Sequence, residues 1–455
     1  MICRAASLRG SLSVLGVLMK YYDTIIIGGG ASGLAAAVMA KTKKNSILII
    51  EHNDRVGKKL LSTGNGKCNF TNAYCKTEVA ADGKLRFVEN PEGVKPFVSS
   101  ADNGFSEEVI SFFDVDAAIA FFKELGLLPL CKNGYYYPRS EQAASVLDLL
   151  RFRCLEEGCE IVCGYQPLDI RRYEQKKKDR ANAGNSDASL TNEENSVRFR
   201  IDDQYTCCNL ILAAGGQNAA KTGSDGSGYE AAKAFGHTIV KPVPALCGLK
   251  CSDPFFKELA GVRTDAELSL FEGKGKGDPL ITVKGNLQMN SWGISGIPVF
   301  QMSLAASRLL AEGRKLLVKI NFLPEFSEEE LVNTFAAKKT DKMLGILNKK
   351  LAKVVLKESK KAHPDETEED YNFVYAHMVR KFKVHPTETA AFEDAQTTLG
   401  GVSTEEIDSR TMESKLVPGL FFTGEIIDVS GICGGYNLSW AWATAHAAAM
   451  KIVQT

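Results

Sequence analysis

The sequence predicts an α/β fold of the doubly wound kind, split by an insertion, and three observations predict it. Near the start, "YYDTIIIGGGASGLAAAVMAKTKKNSILIIE" runs strand, glycine turn, alanine-rich helix, second strand and acid in that order. At the far end, "GLFFTGEIIDVSGICGGYNLSW" repeats the theme of a short apolar strand, glycine turns and a small-residue helix. Between them the pattern changes to short strands and then to charged helices, the mark of an inserted region.

Bulk properties bound the possibilities. A chain of 455 residues with 44% apolar content is long enough for two or three domains. Its 55 basic and 55 acidic residues give no net charge, which argues against a nucleic-acid partner. The twelve cysteines follow no regular framework of spacings, so free thiols in a reducing cytoplasm are expected. The opening "MICRAASLRGSLSVLGVLMK" has arginines before an apolar run too short to span a bilayer. "MKYYDTIIIGGG" reads as a normal start, so residues 1–18 are expected to be a disordered or spurious leader, and no membrane partner is expected.

The first strand is expected over Thr24–Ile27 and the second over Ser46–Ile50. Gly28, Gly30 and Gly33 between them hold the G-x-G-x-x-G spacing. Gly28 permits the tight turn, Gly30 lets backbone approach a pyrophosphate, and Gly33 brings the helix close to the sheet. Ala31 and Ser32 lie at the helix start, which faces an anion. Glu51, eighteen residues after Gly33, is placed to accept hydrogen bonds from a ribose, with His52 and Lys58 beside it. This half of the pattern indicates a dinucleotide without choosing between NAD and FAD.

The stretch "LSTGNGKCNFTN" (61–72) holds more hydrogen-bonding and backbone-exposing residues than a surface turn needs, as a loop lying on a polar ligand would. The C-terminal segment then favours FAD. Asp428 follows Gly424 by four residues, suiting ribityl or pyrophosphate hydroxyls, and the helix expected from about Asn437 offers free N–H groups to an anionic ring edge. "CNLILAAGG" returns a buried strand to the sheet, with Gly215 near the nucleotide.

Elsewhere, "DVDAAIAFFKELGL" is a helix with a glycine stop at Gly126. "CEIVCGYQPLDIRRYE" and "SVRFRIDDQYTCC" are read as strands of a small sheet, joined by a polar hairpin loop over 175–195. "GSDGSG" (223–228) lacks a Walker lysine and reads as a helix-start turn. Residues 240–322 suggest a β-barrel-like unit; 325–383 are helical, with Ser327 as a cap. The expected domains are thus 19–216 and 392–455 for the nucleotide, with 217–324 and 325–391 inserted. Six scattered histidines, His385 and His446 among them, form no metal motif, and no metal site is expected. Cys154 and Cys159 read as core and surface thiols.

"GGGASGLAAAVMA", "LLSTGNGKCNFTN" and "TLGGVSTEEIDSRTMESKLVPGLFFTGEIIDVSGICGGYNLSWAWATAHAAA" together resemble the BaiN-type family of FAD-dependent oxidoreductases, which includes aminoacetone-oxidase-like proteins and a bile-acid enone reductase. The likeness runs from about Tyr21 to the C-terminus; Lys67, where arginine is expected in many relatives, and the leader depart from it. It implies a three-layer, glutathione-reductase-like FAD domain in which Thr63, Gly64, Asn65, Gly66 and Asn69 line the cofactor, with Gly424, Asp428, Gly434, Gly435, Tyr436 and Asn437 at the ring side. Cys68 has no partner at the spacing a dithiol needs and reads as a packed residue. Tyr436 and Cys433 are candidate proton donors or structural residues, and no catalytic side chain is assigned.

The resemblance implies reduction of an electron-poor C=C bond of a 3-oxo-Δ4 steroid or bile acid, a small-molecule substrate, with NAD(P)H as a transient reductant. One glycine fingerprint leaves the nicotinamide no Rossmann domain of its own. An FAD-dependent amine oxidase using oxygen is the second reading, and a flavoprotein that binds a macromolecular partner the third.

Overall fold

The fingerprint strand is longer than its apolar core suggested. In the computed structural model, which describes residues 11–14, 17–91, 93–101, 103–173, 198–338 and 341–454, it spans Val17–Ile27. Ser11–Val14 pairs with it antiparallel from Val17 to Lys20, where a leader without structure was expected. The polar hairpin loop expected over 175–195 lies outside the described residues.

Five parallel strands form the nucleotide sheet in the order 160–163, 47–51, 17–27, 205–212, 420–422. Chain order reverses about the Val17–Ile27 strand, whose neighbours come from both directions; ligands of such sheets bind at the carboxyl ends beside that reversal. Here those ends are Gly28, Glu51, Ala213 and Thr423. Ile25, Ile26, Leu48, Ile49, Leu210 and Phe422 are fully buried, as strands covered on both faces must be. Glu160–Cys163 therefore belongs to the main sheet, correcting its assignment to the small one. The small sheet is the antiparallel set Ile170–Arg172, Phe199–Ile201 and the first residues of Tyr205–Leu212.

Helix Ala31–Ala40 packs against the terminal helix, Tyr436–Gln454. Ala36, Ala37, Ala40, Ala445, Ala448 and Ala449 have no exposed surface, and their single methyls let the two helices approach closely. The helix Val115–Glu124 is capped by the Asp114 side chain, which accepts from the N–H groups of Asp116 and Ala117, and the chain turns at Gly126 with φ +94°.

The chain divides into two units: 1–88, 97–242 and 400–455 form the nucleotide unit, and 89–96 with 243–399 form the inserted one. The insertion was expected at 217–391. It starts later because Gly223 packs on His52 and Asn53, and His237 and Thr238 bond to Glu406, so these residues stay with the nucleotide unit. The two expected inserted domains are one unit, since a single apolar core joins Leu249, Leu268 and Val283 of its strands to Leu331, Val354 and Tyr375 of its helices.

The seven strands of the inserted unit run antiparallel in the order 382–384, 316–321, 263–272, 281–290, 293–295, 249–251, 386–389. Its two edge strands are consecutive in sequence, separated by His385 alone. The sheet therefore curls until its edges meet, which is the barrel-like character the glycine turns suggested. The helix Glu328–Ala337 starts in a capping box: the Glu330 N–H donates to Ser327 Oγ, and Glu330 Oε2 accepts from the Ser327 N–H at 2.7 Å. Ser327→Ala should cost about 1 kcal/mol. A calorimetric scan should then show the transition of this unit lowered by about 2–4 °C.

Candidate functional site

The glycine turn is fixed by geometry that admits no side chain. Gly28 has φ +110°, and a Cβ there would lie 2.4 Å from the Ala213 carbonyl oxygen. At Gly33 a Cβ would come within 2.0 Å of the Gly28 carbonyl oxygen, so helix and strand touch backbone to backbone. A Cβ on Gly30, by contrast, would meet nothing within 4 Å. The open side of the turn is therefore at Gly30 and the first helical N–H groups, at Ala31 and the buried Ser32.

Glu51 ends the second strand 6% exposed. Its Oε2 accepts from the Gly29 N–H at 2.9 Å, and Oε1 accepts from the N–H and Nδ2 of Asn53 at 2.9 and 2.8 Å. Three donors thus hold the carboxylate at the strand end, and His52 Nδ1 lies 3.5 Å from Oε1. Lys58 lies next to this group but pairs with Asp54 Oδ1 at 2.6 Å and Asn53 Oδ1 at 3.2 Å. Its hydrogen bond to Asp54 holds that carboxyl below the ordinary range.

Residues 63–66 make one tight turn in which Gly64 and Asn65 are both left-handed, at φ +56° and +54°. Thr63 Oγ1 donates to the Leu60 carbonyl, Gly64 to Lys67 are exposed, and Lys67 lies 3.4 Å from Glu141. Behind them Cys68 is fully buried and burial pushes its thiol up to about 12. A neutral, enclosed thiol is a packing residue. Asn69 is buried with its Oδ1 unpartnered, and that oxygen lies 2.9 Å from where a Gly435 Cβ would be.

The two chain ends meet here. Ser32 Oγ donates to the Thr423 carbonyl at 3.3 Å, Thr71 Oγ1 and Ser439 Oγ are 2.9 Å apart, and Asn72 Nδ2 donates to the Gly434 carbonyl at 2.8 Å. Trp442 Nε1 donates to the Phe70 carbonyl at 2.8 Å. Gly424, at φ +76°, donates its N–H to Thr444 Oγ1, and a Cβ there would strike Ser32 Oγ at 2.6 Å. Asp428 is 1% exposed and accepts from the Ser100 N–H at 2.8 Å. Gly434 and Gly435 turn left-handed, at φ +108° and +93°, just before the terminal helix. Asn437 braces that turn, accepting from the Gly431 N–H and donating to its carbonyl. Tyr436 is 1% exposed, edge-on to Phe97, with its hydroxyl 3.4 Å from Asn72 Oδ1. Cys433 is half-buried in the same turn.

Some neighbours of the site carried no signal in the sequence. The loop read as a helix-start turn does precede the helix Ser227–Ala234, and it also packs against the residues that follow Glu51. A Cβ on Gly223 would touch Asn53 Nδ2 at 2.6 Å and His52 at 3.2 Å, and one on Gly215, φ +76°, would touch Ser224 Oγ at 2.8 Å. Burial opposes the charge of Asp225, but the Ser227 hydroxyl and N–H, together with His52, hold its carboxyl below the usual value. Lys59 bridges Asn218 Oδ1, at 2.9 Å, to Glu425. Cys154 and Cys159 are both buried, which corrects the surface assignment of one of them. His446 lies tilted against Phe113 at 4.8 Å and burial lowers its imidazole pKa, while His385 pairs with Asp253 at 2.8 Å.

The profile of the HI0933-like protein Rossmann domain matches residues 22–451. The chain belongs to that family. Among its relatives, the 3-dehydro-bile acid delta(4,6)-reductase of Clostridium scindens is 36% identical over 436 residues, covering 93% of this chain and 97% of that one. The ribosomal RNA dihydrouridine synthase of Haemophilus influenzae is 30% identical, covering 96% and 99%. Of solved structures, the 3-ketosteroid-delta4-(5alpha)-dehydrogenase of Rhodococcus jostii aligns at TM-score 0.44 with 12% identity, over 94% of this chain and 97% of that one.

The HI0933-like chain thus has a Rossmann-type unit. Its residues fit FAD on their own evidence: an open turn at Gly30, a buried carboxylate at the second strand end, and a buried amide oxygen, Asn69 Oδ1, awaiting a donor. Among the described residues, no helix is long and apolar enough to cross a membrane.

Proposed function

We propose that this chain is an FAD-dependent reductase of C=C bonds conjugated to a carbonyl, with a 3-oxo-Δ4 steroid or bile acid as substrate and NADH or NADPH as electron source. The observation that carries the reading is the meeting of the two chain ends in one unit, Ser32 of the fingerprint helix with Thr423 and Gly424, and Asn69, its Oδ1 unsatisfied, with the Gly435 turn. When bound, FAD supplies a two-electron hydride donor. Glu51 would take the ribose hydroxyls, Ser32 and the N–H groups after Gly30 the pyrophosphate, Asp428 the ribityl chain, and Asn69 a ring N–H. The positive end of the terminal helix favours negative charge on the ring edge. Hydride addition at the β-carbon puts charge on the substrate's carbonyl oxygen, and the α-carbon then takes a proton. Cys433 is better exposed than Tyr436 to deliver one, and water serves equally.

Substrate choice rests on the 36% identity with the bile-acid reductase. A second reading is supported by the 30% identity with the ribosomal RNA enzyme: the uridine C5=C6 bond is also conjugated to a carbonyl, so the chemistry is shared. A balanced net charge does not by itself remove RNA from the substrate classes. The purified protein should be yellow, and anaerobic mixing with NADH or NADPH should bleach it promptly. Reoxidation by a 3-oxo-4,6-diene steroid, but not by ribosomal RNA, supports the first reading; the reverse supports the second. Slow bleaching together with rapid peroxide formation from an amine would make it an oxidase instead, and colourless protein that refuses FAD would sink all three.

A further inference from the structure

The inserted unit holds a cleft of about 580 Å³ that the flavin chemistry does not use. Lys274, Arg314, Lys315, Lys383 and His385 line it, and no lining residue is acidic. In a chain with equal numbers of acids and bases, such a one-signed concavity is a local imbalance. Arg314 is engaged by Glu272, its Nε at 2.8 Å, and His385 by Asp253. Among the described residues, Lys274, Lys315 and Lys383 have no carboxylate within ion-pair distance.

Register sharpens the point. Lys383 stands directly across the ladder from Lys319. Like charges in that position repel and destabilise a sheet. Lys319 has its own partners, the Gly275 carbonyl at 2.8 Å and the Phe271 ring at 4.1 Å. Lys383 has none. The apolar part of the lining that offers surface is the half-buried Leu310; Leu316 and Leu317 are each only 3% exposed.

We propose that this cleft binds a nucleotide through its phosphates, the lysines taking the charge and the apolar lining at Leu310 meeting the base. Three uncompensated ammonium groups match a ligand with several negative charges, as a di- or triphosphate has and a single carboxylate has not. The nucleotide is either free or part of a strand, and the two sources share this chemistry.

Isothermal titration of ATP, inorganic tripolyphosphate and a short oligouridylate into protein saturated with FAD tests it, the FAD keeping the adenosine side of the other unit filled. ATP should bind, and the double variant Lys315→Glu/Lys383→Glu should weaken it about tenfold or more and flatten its salt dependence. Lys353→Glu, outside the cleft, should leave the affinity unchanged, and melting curves should show all variants folded. Oligouridylate that displaces ATP identifies a strand as the source; failure to displace it identifies a free nucleotide. No binding of any of the three probes, or equal binding by the double variant, overturns the proposal.

Discussion

Gly33→Val should destabilise the protein by about 3 kcal/mol or more and yield material without flavin, whereas Gly30→Val should fold and still fail to hold it. The two glycines lie three positions apart in one motif and differ in what stands opposite. A Cβ at Gly33 would be 2.0 Å from the Gly28 carbonyl oxygen and 3.3 Å from Ala213 Cβ. Backbone is the obstacle, so no rotamer change relieves it, and the helix must lift off the sheet. A loss of that size lowers the melting temperature by about 6–12 °C for a unit of this length. Gly30 has φ −80° and ψ −166°, which any residue adopts, and open space where its Cβ would be. Valine there costs about 1 kcal/mol as a poor cap. It also fills the face on which a pyrophosphate must rest, and about 3 kcal/mol of lost contact is about a hundredfold in affinity. Flavin-to-protein ratio and thermal melts read the two effects separately. A Gly30→Val protein that keeps the wild-type flavin ratio would remove the pyrophosphate from this turn.

That contrast shows which parts of the site a sequence can disclose. Gly28, Gly33 and Glu51 act within one strand–turn–helix–strand unit, where spacing alone fixes their relation, and each stands where the pattern put it. At the other end Gly424, Gly434 and Gly435 stand in left-handed turns beside the short strand and the terminal helix, where the local pattern put turns. Lys59 was not legible, because it acts on a group delivered by tertiary folding, Glu425, more than 350 residues away. Asn53 acts on Glu51 only two residues before it, a local turn that no pattern in the sequence marked. The loop 223–226 looked like a turn since nothing in its composition says that it closes on Asn53 and His52. Glu160–Cys163 was assigned to the wrong sheet because an edge strand's partner is set by the register Ile161↔Ile49, not by its own residues. Barrel closure at His385 depends likewise on two short strands that meet opposite edges, and only the glycine turns hinted at it.

Trp442→Ala should loosen the flavin loop before it unfolds the protein. Trp442 is fully buried, its ring edge-on to Phe122 at 5.1 Å, and its Nε1 donates to the Phe70 carbonyl at 2.8 Å. Truncating such a residue costs about 3–5 kcal/mol in lost burial and cavity. The Phe70 carbonyl also loses a partner in a dry setting, a cost of about 1–3 kcal/mol that overlaps the first. Phe70 directly follows Asn69, whose Oδ1 we assign to the ring, so the released segment is the one that carries the ligand contact. Trp442→Phe separates the causes: it keeps most of the ring packing and removes only the donor. The alanine variant should therefore show flavin fluorescence rising well below the loss of helical signal in one thermal scan, while the phenylalanine variant shows the smaller, hydrogen-bond part of that gap. Coincident transitions in both variants, at the wild-type temperature for flavin release, would mean that the terminal helix and the 63–72 loop hold the ligand independently, and the hydrogen bonds joining them would then be consequences of packing with no part in retention.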